Sequence, residues 1–317
     1  MINLEVKNLN IEYTTRNGTV YAVKDASFKV KTKETLGIVG ESGCGKSTTG
    51  HAILRLLPPN AKIKGNVIYN NKNILELSNK QMRQIRGKDI SIIFQDPMTS
   101  LDPIMRINEH FYELIKAHNP KAKEEEMKQI AEDALESVGV SKKRLDNYPF
   151  EFSGGMRQRV MIALGIALKP SVLIADEPTT SLDVVVQEQI MSVLKNLKQT
   201  KDMSIILITH DLGVVAEVAD SVVVMYAGEV VEYADVQNLY ANPLHPYTQL
   251  LLKSVPNIKI GDMELRYIPG SLPDLKNIPR GCRFKDRCPY KKDICDKEEP
   301  PIFNVDNREV RCWLYGG

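Results

Sequence analysis

The 317-residue sequence predicts an α/β fold built around a phosphate-binding loop, with a helical insertion and a cysteine-bearing tail. Three observations carry that expectation. Gly40-Glu41-Ser42-Gly43-Cys44-Gly45-Lys46-Ser47 is a complete G-x-x-x-x-G-K-[ST] loop directly after the apolar run Leu36 to Val39. Val172 to Ala175 and Ser204 to Ile208 read as buried parallel-type strands flanking a helical run at 184–199, a βαβ rhythm. Between Met98 and about Leu168 the apolar spacing turns helical.

In chain order, Leu4-Glu5-Val6, Ile11-Glu12-Tyr13 and Ala26 to Val30 read as short strands with a turn near Asn17-Gly18. Leu36 to Val39 is a buried strand, and Ser47 to Leu57 a helix stopped by Pro58-Pro59. A strand pair is expected from Gly65 to Ile74, and another strand from Ile90 to Phe94, ending at Gln95. Helices follow at 107–118, at 122–138 and after Ser153. Strands at 221–225 and 229–232, joined at Ala227-Gly228, close the first part. Beyond about Asp235 the chain turns proline-rich. The expected division is therefore 1–235, with a helical subdomain at about 98–168, and a tail at 236–317.

Composition narrows the function classes. Hydrophobic content of 43% and charged content of 26% suit a globular protein with a genuine core. Forty-two basic and forty acidic residues leave a formal charge of +2, which gives no argument for nucleic acid. No run approaches 18 apolar residues, so no membrane crossing is expected. The start, Met1-Ile2-Asn3-Leu4-Glu5, lacks the basic and apolar regions of an export signal, which points to the cytosol.

The loop implies chemistry. Its glycines let backbone N–H groups curl around a phosphate, Lys46 can reach the β- and γ-phosphates, and Ser47 can offer a hydroxyl to Mg²⁺. Asp176 and Glu177 follow a buried strand: the first can face the metal, the second can polarise an attacking water. Gln95 and His210 also end strands, placed to sense Mg²⁺ or water and the γ-phosphate. Ser153 caps a helix whose first N–H groups, with Gly154 and Gly155, can receive a phosphate. Cys44 reads as a tolerated small side chain. The other cysteines, Cys282-x5-Cys288-x6-Cys295-x16-Cys312, crowd the tail and suggest metal more readily than disulfides. Tight zinc-type pairs are absent, and four thiolates suit a [4Fe–4S] cube equally well; zinc stays open on spacing alone. Arg280, Arg283, Lys285 and Arg287 read either as a solvated basic face or as charge balance for such a cluster.

These motifs together resemble the ATP-binding subunits of ATP-binding-cassette (ABC) transporters, over essentially the whole chain. The segment Phe152-Ser153-Gly154-Gly155-Met156-Arg157-Gln158-Arg159-Val160 is similar to the family signature, with Phe152 where leucine is usual. The resemblance implies a P-loop NTPase (RecA-like) core, an antiparallel β subdomain and a helical signature subdomain. It also implies ATP and Mg²⁺ as cofactors, the latter on Ser47 and Gln95. Ser42, Gly43, Cys44, Gly45, Lys46, Ser47, Thr48, Asp176 and Gln95 become nucleotide residues of one subunit. Ser153, Gly154, Gly155 and Gln158 cover the ATP of the opposite subunit. Tyr13 resembles the aromatic that stacks on adenine, with Tyr21 as the other candidate. Glu177 becomes the catalytic carboxylate and His210 the switch histidine, so an ATPase is implied. Ser181-Leu182-Asp183 resembles the loop that communicates across the dimer.

Finer resemblances narrow the family. Gln95-Asp96-Pro97-Met98-Thr99-Ser100-Leu101-Asp102-Pro103 is similar to a linker of the oligopeptide, dipeptide and nickel importers. Asn242-Pro243-Leu244-His245-Pro246-Tyr247-Thr248, Ile268-Pro269-Gly270 and Gly281-Cys282-Arg283-Phe284 resemble the C-terminal extension of peptide-type importers, some with an iron–sulfur cluster. That resemblance favours [4Fe–4S] on Cys282, Cys288, Cys295 and Cys312 over Zn²⁺, in a structural or regulatory role. Expected partners are a second, different ATPase subunit, two membrane permeases and, indirectly, a solute-binding protein, at the cytoplasmic face of the membrane. Short peptides are the expected solute and nickel the nearest alternative. A soluble non-transport cassette protein and a metal-binding regulatory module are the other readings.

Overall fold

The computed structural model describes residues 1–96, 100–179, 183–254 and 268–316, with backbone alone for Thr200 and Lys201. In chain order the main elements begin with β1 (Ile2–Thr15), β2 (Gly18–Lys31), β3 (Thr35–Val39), α1 (Lys46–Ile53), β4 (Ala61–Tyr69) and β5 (Lys72–Asn73). Next come α2 (Asn79–Ile85), β6 (Ile90–Ile93), α3 (Ile107–His118), α4 (Glu124–Ser137), α5 (Gly154–Ile166) and β7 (Val172–Asp176). They continue with α6 (Val184–Lys201), β8 (Ser204–Ile208), α7 (Leu212–Val218), β9 (Ser221–Tyr226) and β10 (Glu229–Asp235). The tail adds α8 (Val236–Ala241), α9 (Pro246–Lys253), α10 (Ile294–Lys297), β11 (Phe303–Val305) and β12 (Arg308–Val310).

The chain divides into two compact units. One comprises Met1, Lys31–Glu34 and Glu76–Leu207; the other comprises Ile2–Val30, Thr35–Leu75 and Ile208–Gly317. Contacts thus divide the chain differently from a cut at 235, and they place the tail in the same unit as the phosphate loop.

In the second unit the antiparallel sheet runs β2-β1-β4-β5. Sequence alone suggests two short strands over residues 4–13, whereas β1 is continuous through a bulge. Lys7-Asn8 breaks the alternation: Asn8 adopts φ 48° and the pairing with β4 shifts between Lys7 and Asn10. Asn8 Nδ2 donates to Asp25 Oδ1 at 2.6 Å, and Asp25 N–H donates to Asn10 Oδ1 at 3.1 Å, so the interruption is satisfied locally. The other strands of this unit lie in the order β11-β12-β10-β9-β3, with β3 and β9 parallel. β3 is buried at every position, as a strand with both faces covered must be.

The tail does not stand apart. β12 pairs antiparallel with β10 and extends the sheet. Tyr247 and Phe284 share a core with Val39, Val222, Val224 and Tyr226. Glu232, fully buried, accepts from Leu244 N–H (2.8 Å) and His245 N–H (2.9 Å), which fixes the Pro243–Pro246 turn. Sequence reading foresaw neither these strands nor these helices, because the tail's apolar residues are sparse and complete a core supplied by distant strands. Helix α1 also stops short of the expected Leu57: Arg55 adopts φ 52°, which ends the helix before Pro58.

In the first unit the strands lie in the order β8-β7-β6, and β6 and β7 are parallel. Ile107, Phe111 and Ile115 recur every four residues along α3 and are all buried. Together with Met127, Ala131 and Leu135 on α4 and Val160 and Ile162 on α5, they make a helical core as the spacing predicts. The P-loop-type α/β fold with a helical insertion is borne out.

Candidate nucleotide site

In the second unit the phosphate loop joins β3 to α1. Two of its glycines are sterically required. A Cβ on Gly40 (φ 148°) would lie 2.1 Å from Met225 O, and one on Gly45 (φ 103°) would lie 2.6 Å from Ala22 O. Lys46 is almost fully buried, and its Nζ donates to Gly40 O (2.8 Å) and Glu41 O (3.0 Å). Ser42 and Gly43 are exposed, Ser47 and Thr48 half-buried. Cys44 is wholly buried, its thiol pushed up by that burial, which fits an inert packing side chain. Gly228 N–H donates to Cys44 O (2.9 Å), tying the loop to the β9–β10 turn.

Thr209 N–H donates to Ile38 O (3.2 Å), so exposed His210 leaves its strand beside the carbonyl end of β3. Tyr13 is half-buried and stands opposite Ala61 of β4. Tyr21 is exposed, and its backbone N–H donates to Leu275 O (3.0 Å).

In the first unit Asp176 is buried at the end of β7. Glu177 follows with φ 46°, a left-handed backbone that turns the chain sharply off the strand. Register explains its partner. Ile93 of β6 pairs with Ala175 of β7, so Gln95 and Glu177, each two residues on, come level. Gln95 Nε2 donates to Glu177 Oε2 at 3.2 Å.

At the signature segment, Ser153 Oγ accepts from Met156 N–H (3.4 Å), capping α5 as expected. Ser153 and Gly154 are exposed at this helix start. Gly155 is half-buried, and a Cβ there would lie 2.5 Å from Val186 Cγ1 of α6, so its bareness serves packing as well. Gln158 is 1% exposed, and among the described residues its Nε2 has no hydrogen-bond partner. Ser181 and Leu182, with Pro97, Met98 and Thr99 of the expected linker, lie outside the described residues. Asp183 caps α6, accepting from Val186 N–H at 2.9 Å.

The four tail cysteines line one small cavity with His245, Phe284 and Trp313. Cys282 N–H donates to Cys295 O (2.8 Å). Burial pushes the Cys282 thiol up to about 12 and the Cys312 thiol up to about 11. The donor set of four thiols in an apolar shell suits a soft metal. Even so, among the described residues no group of three or more His, Cys, Asp or Glu stands as a metal-holding set. Of the basic residues nearby, Arg280 is exposed, its Nε donating to Lys297 O at 3.1 Å. Arg283 is buried in an ion pair with Glu229 (3.2 Å) and donates to Ala227 O. Arg287 is buried against Glu41. Lys285 lines the cavity and pairs with Asp296 at 3.3 Å.

A phosphate loop running from a buried strand into a helix marks a P-loop nucleotide-binding protein. A family profile described as "ABC transporter" matches residues 23–180, and one described as "Oligopeptide/dipeptide transporter, C-terminal region" matches residues 231–295. The chain belongs to the ATP-binding subunits of dipeptide and oligopeptide ABC transporters. It is 47% identical to the dipeptide transport ATP-binding protein DppD of Bacillus subtilis, over 98% of this chain and 94% of that one. It is 48% identical to the oligopeptide transport ATP-binding protein OppD of the same organism, over 98% and 88%. Among solved structures, the dimeric ATP-binding cassette MJ0796 in a post-hydrolysis state bound to ADP and Pi matches with TM-score 0.66 and 29% identity. That match covers 74% of this chain and 98% of that one. CbiO1 of Clostridium perfringens, part of the transporter complex cbiONQ, matches with TM-score 0.65 and 30% identity, over 76% and 91%. Among the described residues no helix is long and apolar enough to cross a membrane.

Proposed function

We propose that this chain powers the import of short peptides, dipeptides or oligopeptides, through a membrane transporter. The observation that carries this reading is near-full-length similarity to dipeptide and oligopeptide transport ATP-binding proteins, tail included. The chain works at the cytoplasmic face with two membrane permeases and a second ATPase subunit, a different chain rather than a copy. An external solute-binding protein delivers the peptide.

The roles divide by residue type. Lys46 and the loop N–H groups, with Ser42 to Thr48, hold the triphosphate, and Ser47 offers its hydroxyl to Mg²⁺. Tyr13 stacks on the adenine. Asp176 and Gln95 serve the metal side of the chemistry. Glu177 accepts the proton of the attacking water, with its orientation held by Gln95. His210 steadies the γ-phosphate. Ser153, Gly154 and Gly155 present helix-start N–H groups to the nucleotide of the partner subunit. Mg²⁺, when bound, neutralises charge that develops on the phosphates.

Reconstitution with the permeases and second ATPase subunit tests this reading. Glu177→Gln should retain ATP-dependent pairing while peptide uptake stops. Undiminished uptake in that variant would overturn it.

The four cysteines are proposed to hold a [4Fe–4S] cluster, supported by the single cavity that all four line. Zn²⁺ is the competing occupant. Either would need the raised thiols to lose their protons on binding. Visible absorption with iron and zinc analysis of anaerobically purified protein distinguishes the two, and neither metal at stoichiometry would dismiss both.

A further inference from the structure

Every polar group of one phosphate-loop residue, Glu41, is held. Its carboxylate takes a two-pronged grip from Arg287, Nη1 to Oε2 at 2.7 Å and Nη2 to Oε1 at 2.8 Å. Its N–H donates to the hydroxyl of fully buried Tyr247 at 2.9 Å. Its carbonyl accepts from Lys46 Nζ (3.0 Å) and from Cys44 N–H (3.2 Å). Arg287 and Tyr247 both belong to the tail, more than two hundred residues away in sequence. Arg287 is itself fixed: Nε donates to Pro269 O at 2.7 Å, and the guanidinium lies 5.7 Å from the Tyr226 ring centre. The same tail brings Leu272 to 4.0 Å from the position of a Cβ on Gly43.

We propose that Arg287, seconded by Tyr247, is a positioning residue for the phosphate loop. It neutralises Glu41 and fixes the carbonyl on which Lys46 rests. The reasoning is electrostatic. Glu41 places a carboxylate in the loop that receives a triphosphate, and like charges that close repel unless one is paired. A forked guanidinium pairs a carboxylate with both charge and direction, which lysine does not reproduce. This proposal rests on the reading that Gly40 to Ser47 holds the phosphates of ATP.

The test measures ATP affinity by calorimetry on the purified full chain, alongside thermal melting and metal content. Arg287→Ala should raise the Kd for ATP about tenfold by leaving Glu41 unpaired. Arg287→Lys should fall between the two. Glu41→Gln in the Arg287→Ala background should recover most of the loss, because the repelling charge is gone; a purely structural role gives no such recovery. Unchanged affinity in a folded Arg287→Ala protein, or no recovery in the double variant, would overturn the proposal. Lys46→Ala separates the premise: if that variant binds ATP normally, the loop reading itself fails, whatever Arg287 does.

Discussion

Gln95 and Glu177 meet because two parallel strands end in step: the amide Nε2 reaches the carboxylate Oε2 at 3.2 Å. The left-handed backbone at Glu177, φ 46°, aims the side chain off β7, and the amide limits where it can point. Orientation of a base is worth much of its catalytic effect.

Replacing Gln95 with alanine should therefore lower kcat for ATP hydrolysis by about 10- to 100-fold, with a smaller change in ATP affinity. Glu177→Gln should lower it by about 100-fold or more. Steady-state hydrolysis and equilibrium ATP binding, measured on both variants, check this. Equal losses in affinity and turnover would argue against an orienting role.

Gly155 should tolerate no side chain. Alanine there would press on Val186 Cγ1 from 2.5 Å, and such overpacking costs about 1–3 kcal/mol. Urea denaturation of Gly155→Ala should show that loss. Trimming the neighbour, in Gly155→Ala with Val186→Ala, should return part of it.

The Arg283–Glu229 pair is almost wholly buried, with side chains 1% and 5% exposed. Burial pushes the Glu229 carboxyl up, and Arg283 opposes that shift. Arg283→Met would strand the carboxylate and should cost about 3–5 kcal/mol. Adding Glu229→Gln should recover much of it, as chemical denaturation of both variants would reveal.

His118, half-buried at the end of α3, has its pKa lowered, chiefly by burial. The unfolded chain therefore takes up the proton first. The stability that neutral His118 contributes is present above about pH 6.5 and is lost as pH falls through that value toward the folded pKa. His118→Gln should show a smaller drop in melting temperature between pH 7.5 and pH 5.5 than the parent. Parallel melting curves would reject this.

Much of this was legible in sequence because local rules governed it. The loop Gly40 to Ser47 is contiguous, β3 and β7 are unbroken apolar runs, and α3 repeats its core residues every four positions. Ser153 sits where a helix cap is expected and makes its bond. What failed to show was non-local. The Asn8 bulge looks like a strand break because polar residues interrupt the alternation, and only Asp25 and Asn10 together reveal a continuous β1. Gln158 lies within a recognisable segment, yet its burial depends on how α5 packs, which no window of sequence states. Arg287 and Arg283 looked like one basic cluster; each is spent on a different carboxylate, at Glu41 and Glu229.

β12, near residue 310, hydrogen-bonds to β10, which joins β9 and, through it, the strand that feeds the nucleotide loop. The sheet behind that loop therefore takes its outer strands from a segment far downstream of β10 in the chain. Loss of β11 and β12 would leave β10 with a bare edge, open to pairing with another chain.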